Sequence, residues 1–315
     1  MPNKNPNAQT HYVASLEETP IETVDHLDES QKARSTWADA WDAMRVRPTF
    51  WISSALILLI VIVALLPSLF AQVSPTQCDL GDSHGAPEDG HPLGYTRQGC
   101  DVYARIVFGT QASVTVGLLA TILVTVTGII VGALTGYYGG LLDAIVSRIG
   151  DIFFAVPTVL GAIVLMSVLP ERTPTTIALV LSLFAWPQIA RIMRGAVLSA
   201  RNSDYVTASV ALGVSRFRIL LRHVVPNSIA PVIVIATVSL GTFIVAEATL
   251  SFLGIGLPPN VMSWGNDIDA AKTSLRTNPQ VLLYPAAALS LTVLAFLMLG
   301  DVVRDALDPE ARARR

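Results

Sequence analysis

The sequence predicts an all-α, polytopic membrane protein with six transmembrane helices. Of its 315 residues, 52% are hydrophobic and only 14% are charged, whereas about a quarter of the residues of a soluble domain are charged. The chain contains apolar runs of about 18 to 25 residues, which are long enough to cross a hydrocarbon core of roughly 30 Å. These runs lack the alternation of barrel strands, and in lipid each backbone amide needs a partner within its own segment, so we expect helices.

Six apolar runs meet this length requirement or come close to it. They cover residues of about 51–70, 112–138, 152–169, 175–193, 228–250 and 281–303, within a membrane domain of residues 51–309. The second run contains Gly128, Gly132 and Gly136 at every fourth position, a spacing that predicts close approach of another helix. Pro157 and Pro187 fall within the third and fourth runs, where each permits a bend.

The distribution of lysine and arginine predicts that both termini are cytoplasmic. With the amino terminus inside, most of the 21 basic residues fall in inner segments, as the positive-inside rule requires. The outer ones are Arg97, Arg105, Arg172, Lys272 and Arg276. The polar stretch before Trp51 is too long and too acidic for a cleavable signal peptide, so we expect the first span to remain as an anchor.

Polar segments flank the predicted membrane domain. Residues 1–35 show no periodicity, and we expect them to be a disordered cytoplasmic tail. Residues 36–50 are expected to form an amphipathic helix along the inner membrane surface, with Trp37, Trp41 and Met44 on one face; the alternative is a helical start to the first span. Residues 310–315 form a second cytoplasmic tail. The segments before the first span are acidic, and no surface of the protein is basic enough to suggest that it binds nucleic acid.

The outer loop before the second span contains both cysteines of the chain. Cys78 and Cys100 lie on the oxidising side of the membrane, where a disulfide is favoured over a reactive pair. The alternative is a metal site that adds His84 and His91, but these spacings match no zinc signature. We therefore expect a disulfide and no metal.

The chain lacks the motifs of a protein that hydrolyses nucleotide or peptide bonds. It has no GxxxxGK[ST] loop, no HExxH and no GxSxG, so we expect no catalytic residue and no cofactor on this chain. Glu247 is the ionisable residue within a predicted span. At about 1.5 Å per residue it lies roughly 28 Å along its helix, so we expect it at the outer mouth, where a solvated carboxylate is the simpler interpretation. Energy for transport must then come from a partner.

The predicted inner segment at residues 194–227 interrupts the apolar runs with arginines. Asp204 or Ser203 can cap a helix through Ala211, and Gly213 then permits a sharp turn before a second helical piece. The small residues of the first helix would fit a groove on another protein. The alternative is a basic loop that only sets the topology.

The spacing within this segment resembles the coupling loop of ATP-binding-cassette (ABC) importer permeases. That pattern begins with EAA, followed after three residues by Gly. Nine residues later come an apolar position, any residue, a second apolar position and Pro. Here Thr207-Ala208-Ser209 takes the place of EAA, Gly213 follows at the same distance, and Val225-Pro226 closes the pattern. The first acidic residue of the pattern is missing, which leaves any polar bond from that position in question.

The resemblance extends to the C-type permease subunit of dipeptide and oligopeptide importers, a binding-protein-dependent transport system inner membrane component. The strings that carry it are WPQIARIMRGAVLSARNSDYVTASVALGVSRFRILLRHVVPN from Trp186, HPLG from His91, GYYGG from Gly136, EATLSFLGIGLPP from Glu247, SWG from Ser263 and LTVLAFLMLGDVVRDALDP from Leu291. One departure is GYTRQGCD, where the family usually has GTDxxGRD. This departure supports a bond between Cys78 and Cys100 as a local addition.

The resemblance implies a type I ABC importer permease fold with a cytoplasmic coupling helix, in a bacterial inner membrane. It implies several partners: a homologous B-type permease, ATP-binding cassette subunits that hold ATP and magnesium, an extracytoplasmic substrate-binding protein and membrane lipid. Di- or oligopeptides are the expected substrates. Nickel, glutathione and haem are alternatives within the family, and an ion-coupled carrier, a channel subunit or a membrane scaffold is the alternative outside it.

The resemblance also assigns roles to residues of this chain. The expected ATPase-coupling residues are Asp204, Tyr205, Thr207, Ala208, Ser209, Gly213, Arg216, Arg222, His223 and Pro226. The expected residues of the translocation mouth are Glu247, Ser251 and Phe252.

Overall fold

The computed structural model describes residues 36–307. The contacts described below all lie within residues 40–315, one of the two units into which the chain divides. The predicted tails at residues 1–35 and 310–315 lie outside the described residues. Within residues 36–307 the structure contains helices and isolated β-bridges but no strand, so the all-α prediction is confirmed.

The helices follow the chain in this order: α1 Thr36–Arg45, α2 Pro48–Leu65, α3 Val102–Tyr138, α4 Gly140–Ala155, α5 Thr158–Val168, α6 Pro174–Ala200, α7 Asp204–Ala211, α8 at 216–228, α9 Ala230–Phe252, α10 Trp264–Ala271 and α11 Gln280–Leu307. A π-helical turn, Leu220–Val224, lies in the middle of α8. Single helical turns occur at Pro67–Phe70, Leu80–Asp82 and Lys272–Ser274.

Five of these helices are long and apolar enough to cross a membrane: α2, α3, α6, α9 and α11. The pair α4 and α5 becomes a sixth crossing if it is counted as one span, but the two helices meet at a bend of 82°. The third run, expected at about 152–169 with a bend permitted at Pro157, is thus divided between the end of α4 and α5. The break lies at Val156, whose backbone is extended, because the residue before a proline is sterically pushed out of the helical region. The bend thus falls at Pro157, as the sequence suggests.

The boundaries of the first helices also differ from the expected ones. The helix expected at 36–50 ends at Arg45, and residues 48–50 instead open α2, with Pro48 in its first turn. Proline suits this position because a first-turn residue needs no amide donor. The first span was expected to reach residue 70, but α2 ends at Leu65, just before Pro67.

The second span is longer than its apolar run. α3 has 37 residues and begins at Val102 instead of residue 112. The carboxylate of Asp101 accepts a 2.5 Å hydrogen bond from Ala104 N, which satisfies an amide in the first turn. The additional turns include Arg105 and were missed because only the uncharged stretch was counted as a span.

The glycine stripe of α3 packs directly against another helix, as predicted, and that helix is α6. A Cβ on Gly128 would lie 2.6 Å from Ile189 Cγ2, and one on Gly132 would lie 2.3 Å from the carbonyl oxygen of Ala190. These distances leave no room for any side chain, so the two helix backbones touch along this line. The α3–α6 pair forms the centre of the buried apolar core.

Candidate functional site

The short helix α7 lies in the middle of the segment that the sequence assigns to ATPase coupling. It begins after Ser203, whose carbonyl accepts hydrogen bonds from Val206 N (3.0 Å) and Thr207 N (3.2 Å). The expected side-chain cap is not formed by Ser203. Asp204 lies in the first turn, where its charge favourably meets the helix dipole.

Gly213 forms the turn that ends α7. Its φ angle is +75°, in the left-handed region that glycine adopts without steric cost. Gly213 N donates to Val210 O (2.9 Å), and Val214 N donates to Ser209 O (3.2 Å). No atom lies within 4 Å of the place where a Cβ would sit. The backbone conformation, not crowding, therefore explains the glycine, and any side chain added here would point into free space.

Residues 201–228 expose most of the residues that the sequence assigns to ATPase coupling. Val210 is 55% exposed and Leu212 is 83% exposed. Ser209 and His223, two of the residues expected to take part in coupling, are half-buried, whereas the exposed ones are Asp204, Tyr205, Thr207, Ala208, Gly213, Arg216, Arg222 and Pro226. The Ser209 hydroxyl donates to the Tyr205 carbonyl in its own helix (2.8 Å). The surface of α7 thus combines small residues with unpaired apolar side chains.

Buried residues anchor residues 201–228 to the helical bundle. Val206 of α7 is buried, as are Ile219, Leu220 and Val224 of α8. All four belong to the apolar core that also contains α3 and α6. Because protein interiors are close-packed, these side chains tie α7 and α8 to the adjoining spans.

Two arginines that the sequence counted only toward topology fix the ends of the helices on this side. Arg194 of α6 donates two hydrogen bonds to the carboxylate of Asp143 on α4, each of 2.6 Å. Arg201 donates to the carbonyls of Gly136 (3.0 Å) and Tyr137 (3.3 Å), where α3 ends and its carbonyls lack helical partners. Sequence alone gave no signal for these pairs because their partners lie on other helices.

Glu247 is not the solvated carboxylate that we expected at the end of its span. It is completely buried. Oε2 accepts a hydrogen bond from Ser113 Oγ (3.0 Å), and Oε1 accepts one from Ser251 Oγ (2.8 Å). The prediction is wrong because it counted only the distance along α9, whereas α3 and the segment after α9 cover this carboxylate. Buried polar groups need such partners.

Next to this cluster is a cavity of about 860 Å³, on the face that the positive-inside rule places outside. We call it the outer cavity. It lies between the loop before α3, the end of α5, the segment after α9, and α10. Ser251, one of the expected mouth residues, is part of its wall. Phe252 lies beside it, half-buried, with Lys272 Nζ 4.4 Å above its ring.

A buried ion pair joins α3 to α10 in the wall of the outer cavity. Arg105 contacts Asp267 Oδ1 through Nε (2.7 Å) and Nη2 (2.5 Å). Burial raises the pKa of Asp267, and the nearby Arg105 acts in the opposite direction. Asp267 Oδ2 is buried without a hydrogen-bond partner among the described residues.

A disulfide between Cys78 and Cys100 is present in the structure. It joins the two ends of the outer loop, and both cysteines contribute to the rim of the outer cavity. Within the loop, His91 Nδ1 lies 2.6 Å from Asp101 Oδ2. The Tyr95 hydroxyl donates to Glu88 (2.6 Å), and this bond, together with burial, raises the pKa of Tyr95 to about 12.

The comparisons with known proteins identify the family. Residues 128–313 match the binding-protein-dependent transport system inner membrane component. Residues 35–87 match the N-terminal transmembrane domain of oligopeptide transport permease C. The chain is a permease of this binding-protein-dependent transport family.

Curated relatives resemble the permease over almost its full length. It is 35% identical to the oligopeptide transport system permease protein OppC of Bacillus subtilis (strain 168), over 90% of this chain and 92% of the relative. It is 32% identical to the glutathione transport system permease protein GsiD of Escherichia coli O6:K15:H31, over 91% of this chain and 94% of the relative.

A solved structure supports the fold of the permease. An inward-facing conformation of the MetNI methionine ABC transporter matches with a TM-score of 0.52 and 20% identity, over 64% of this chain and 96% of that chain. The permease is therefore a multi-pass inner-membrane protein with the ABC importer permease fold, and its family consists of transport subunits.

Proposed function

We propose that this permease is the C-type subunit of an ATP-driven importer of di- or oligopeptides. It forms half of the translocation pathway, and a homologous B-type permease forms the other half. ATP-binding cassette subunits hold ATP and magnesium on the cytoplasmic side, where both termini of the permease lie. A substrate-binding protein delivers the substrate from outside, and this chain holds no cofactor.

The observation that carries the proposal is the exposed helix α7, which is anchored to the core but has no partner on its outer face within the described residues. Val210 and Leu212 are exposed at its end, and apolar residues in this position are suited to a groove on another protein. The buried Val206 on the opposite face links α7 to α3 and α6. ATP-driven movement of the cassette subunits would thus reach the spans through α7.

Peptides are favoured as substrates because the relative with 35% identity is named an oligopeptide permease. The relatives named glutathione permeases are 31% to 32% identical, and glutathione is itself a modified tripeptide. Glutathione is therefore the second candidate, and it differs from ordinary peptides in its γ-linked first residue. Uptake of labelled dipeptide, tripeptide and glutathione by the reconstituted complex separates the two.

The substitution Gly213→Asp tests the coupling role. Aspartate tolerates the left-handed backbone better than most residues, and no atom lies within 4 Å of the new Cβ, so we expect folding and membrane insertion to be largely intact. The added charge would lie against the cassette subunit. We expect uptake to be abolished and association with the ATPase to weaken, as measured by substrate uptake and co-purification.

Gly90→Asp is the matched control. Gly90 has a φ angle of +88° and also has no atom within 4 Å of its Cβ position, but it lies in the loop before α3, on the predicted outer face. Gly90→Asp should cause the same backbone strain at a positive φ angle as Gly213→Asp, without disturbing ATPase association. Normal uptake by the Gly213→Asp complex would refute the coupling role.

A further inference from the structure

The outer cavity has a charged lining that the proposed function does not yet use. Its volume of about 860 Å³ falls in the range of small-molecule sites, about 300 to 1,000 Å³. A space of this size accommodates a short peptide. A specific interface between two proteins, by contrast, typically buries roughly 800 Å² of surface on each partner.

Some of the charged residues around the cavity form ion pairs, and others do not. Three arginines and two aspartates contribute to its wall: Arg97, Arg105, Arg172, Asp267 and Asp269. Arg105 is neutralised by Asp267, and Asp269 is neutralised by Lys272. The remaining positive charges in the described wall are the guanidinium groups of Arg97 and Arg172.

Arg97 and Arg172 are held in place by neutral groups only. Arg97 Nη1 donates to Thr273 Oγ1 (3.1 Å), and Arg172 Nη1 donates to the carbonyl of Gly254 (3.1 Å). Neither forms an ion pair with a described carboxylate. A guanidinium has five N–H donors, so each arginine keeps donors for an anion.

The backbone that carries Arg97 is fixed by the outer loop. The carbonyl of Arg97 accepts a hydrogen bond from Ser83 Oγ (2.6 Å). The disulfide lies just beyond it at Cys100, and Asp79 N donates to Gly99 O (3.1 Å). The loop that carries Arg97 is therefore already ordered, which limits the entropy that the backbone must lose when the arginine binds a ligand.

From these observations we propose that Arg97 and Arg172 bind the terminal carboxylate of a peptide substrate in the outer cavity. Guanidinium groups suit carboxylates because they offer parallel donors in a planar arrangement. The proposal rests on the proposed function and adds a point of substrate recognition within the permease itself. Each of the two carboxylates in the described wall, Asp267 and Asp269, has a basic residue beside it that offsets its charge, so repulsion of this group is reduced.

The test uses the complete complex in proteoliposomes, with an excess of substrate-binding protein preloaded with peptide. Two substrates are compared: a peptide with a free carboxyl terminus and the same peptide as its terminal amide. The variants are Arg97→Gln, Arg172→Gln and the double variant, because glutamine retains a donor for Thr273 or Gly254. Arg276→Gln is the matched control, since Arg276 is an exposed arginine of the same region that is not part of the cavity wall.

We expect the double variant to transport the free acid about tenfold more slowly, in line with the loss of charge-assisted hydrogen bonds, and the amide at nearly the wild-type rate. Arg276→Gln should change neither rate. Unchanged transport of the free acid would overturn the proposal, and so would an equal loss for acid and amide.

A second measurement distinguishes this site from a docking contact for the binding protein. The affinity of the complex for peptide-loaded binding protein is measured with wild type and the double variant. Equal affinities support the peptide site, whereas weaker binding by the variant would show that the arginines contact the binding protein and would overturn the proposal. If the wild-type complex transports no peptide at all, the proposed function itself fails, and that result is distinct from both outcomes.

Discussion

Ser113 on α3 donates a 3.0 Å hydrogen bond to the buried carboxylate of Glu247 on α9. The same hydroxyl accepts a hydrogen bond from Trp264 N (3.3 Å) at the start of α10. Ser251 bonds the other carboxylate oxygen and accepts from Leu257 N (3.1 Å). One carboxylate and two serines therefore connect two spans with the segments that lead into α10, beside the outer cavity.

The first prediction concerns this cluster. Glu247→Leu leaves the hydroxyls of Ser113 and Ser251 without an acceptor, so we expect the permease to lose about 1–3 kcal/mol of stability. Glu247→Gln keeps an acceptor and should cost less. Thermal unfolding of the purified complex measures both, with Thr242→Val on the exposed face of α9 as control. A Glu247→Leu protein as stable as wild type would show that the cluster contributes nothing.

The second prediction concerns the contact between α3 and α6. In Gly132→Ala, the new methyl group would lie 2.3 Å from a backbone carbonyl of α6, so the helices must separate, at a cost of about 1–3 kcal/mol. Gly195→Ala is the control, because Gly195 lies in α6 with no atom within 4 Å; it should be neutral or stabilising by up to about 1 kcal/mol. Equal effects of the two substitutions on thermal stability would contradict the packing account.

The third prediction concerns the ion pair between Arg105 and Asp267. Arg105→Met leaves a buried carboxylate unpaired, which typically costs about 3–5 kcal/mol, whereas Arg105→Met with Asp267→Leu should recover most of that loss. Hydrogen exchange over α10 and thermal stability measure the effect. A double variant that is no more stable than Arg105→Met alone would show that the pair acts through something other than charge.

The same variant has a predicted pH dependence. Burial raises the pKa of Asp267, and Arg105 opposes that rise, so removing Arg105 raises the pKa further. A carboxyl whose pKa is higher in the folded state than in the unfolded state destabilises the fold as pH increases through that folded pKa. The penalty of Arg105→Met should therefore be larger at pH 8 than at pH 5. A penalty that is the same at both values would contradict this sign.

The fourth prediction concerns the disulfide. Cys78 and Cys100 are 22 residues apart, and closing a loop of this length contributes about 3 kcal/mol in the chain-entropy account. In Cys78→Ala/Cys100→Ala we expect faster hydrogen exchange across the outer loop, while the α3–α6 contact stays protected. Unchanged exchange in the loop would show that its other contacts suffice to hold it.

The sequence predicts the spans, bends and turns well where the residues that determine them lie close together in the chain. Apolar length identifies the spans, Pro157 marks the bend, and Gly213 marks the turn, because each effect acts within a few residues. The extension of α3 depends on a single cap at Asp101, which also leaves a local sequence signal.

The sequence could not predict contacts between distant helices. The burial of Glu247 depends on Ser113, which lies 134 residues away, and no local pattern connects the two. No local pattern connects Arg194 with Asp143 or Arg105 with Asp267 either, so the sequence could not predict these pairs. Charges that only appear to set topology or to face solvent are thus fixed by the packing of the spans, which a single sequence does not reveal.

The most direct test of the account places a photo-crosslinking amino acid at Val210, which is 55% exposed at the end of α7, in the complete transport complex. Leu80, which is 77% exposed in the loop before α3, is the control position. We predict a crosslink from position 210 to the ATP-binding cassette subunit and none to that subunit from position 80. Crosslinks from position 210 to lipid alone, in a complex that transports substrate normally, would contradict the central claim that α7 transmits the work of ATP hydrolysis to the permease.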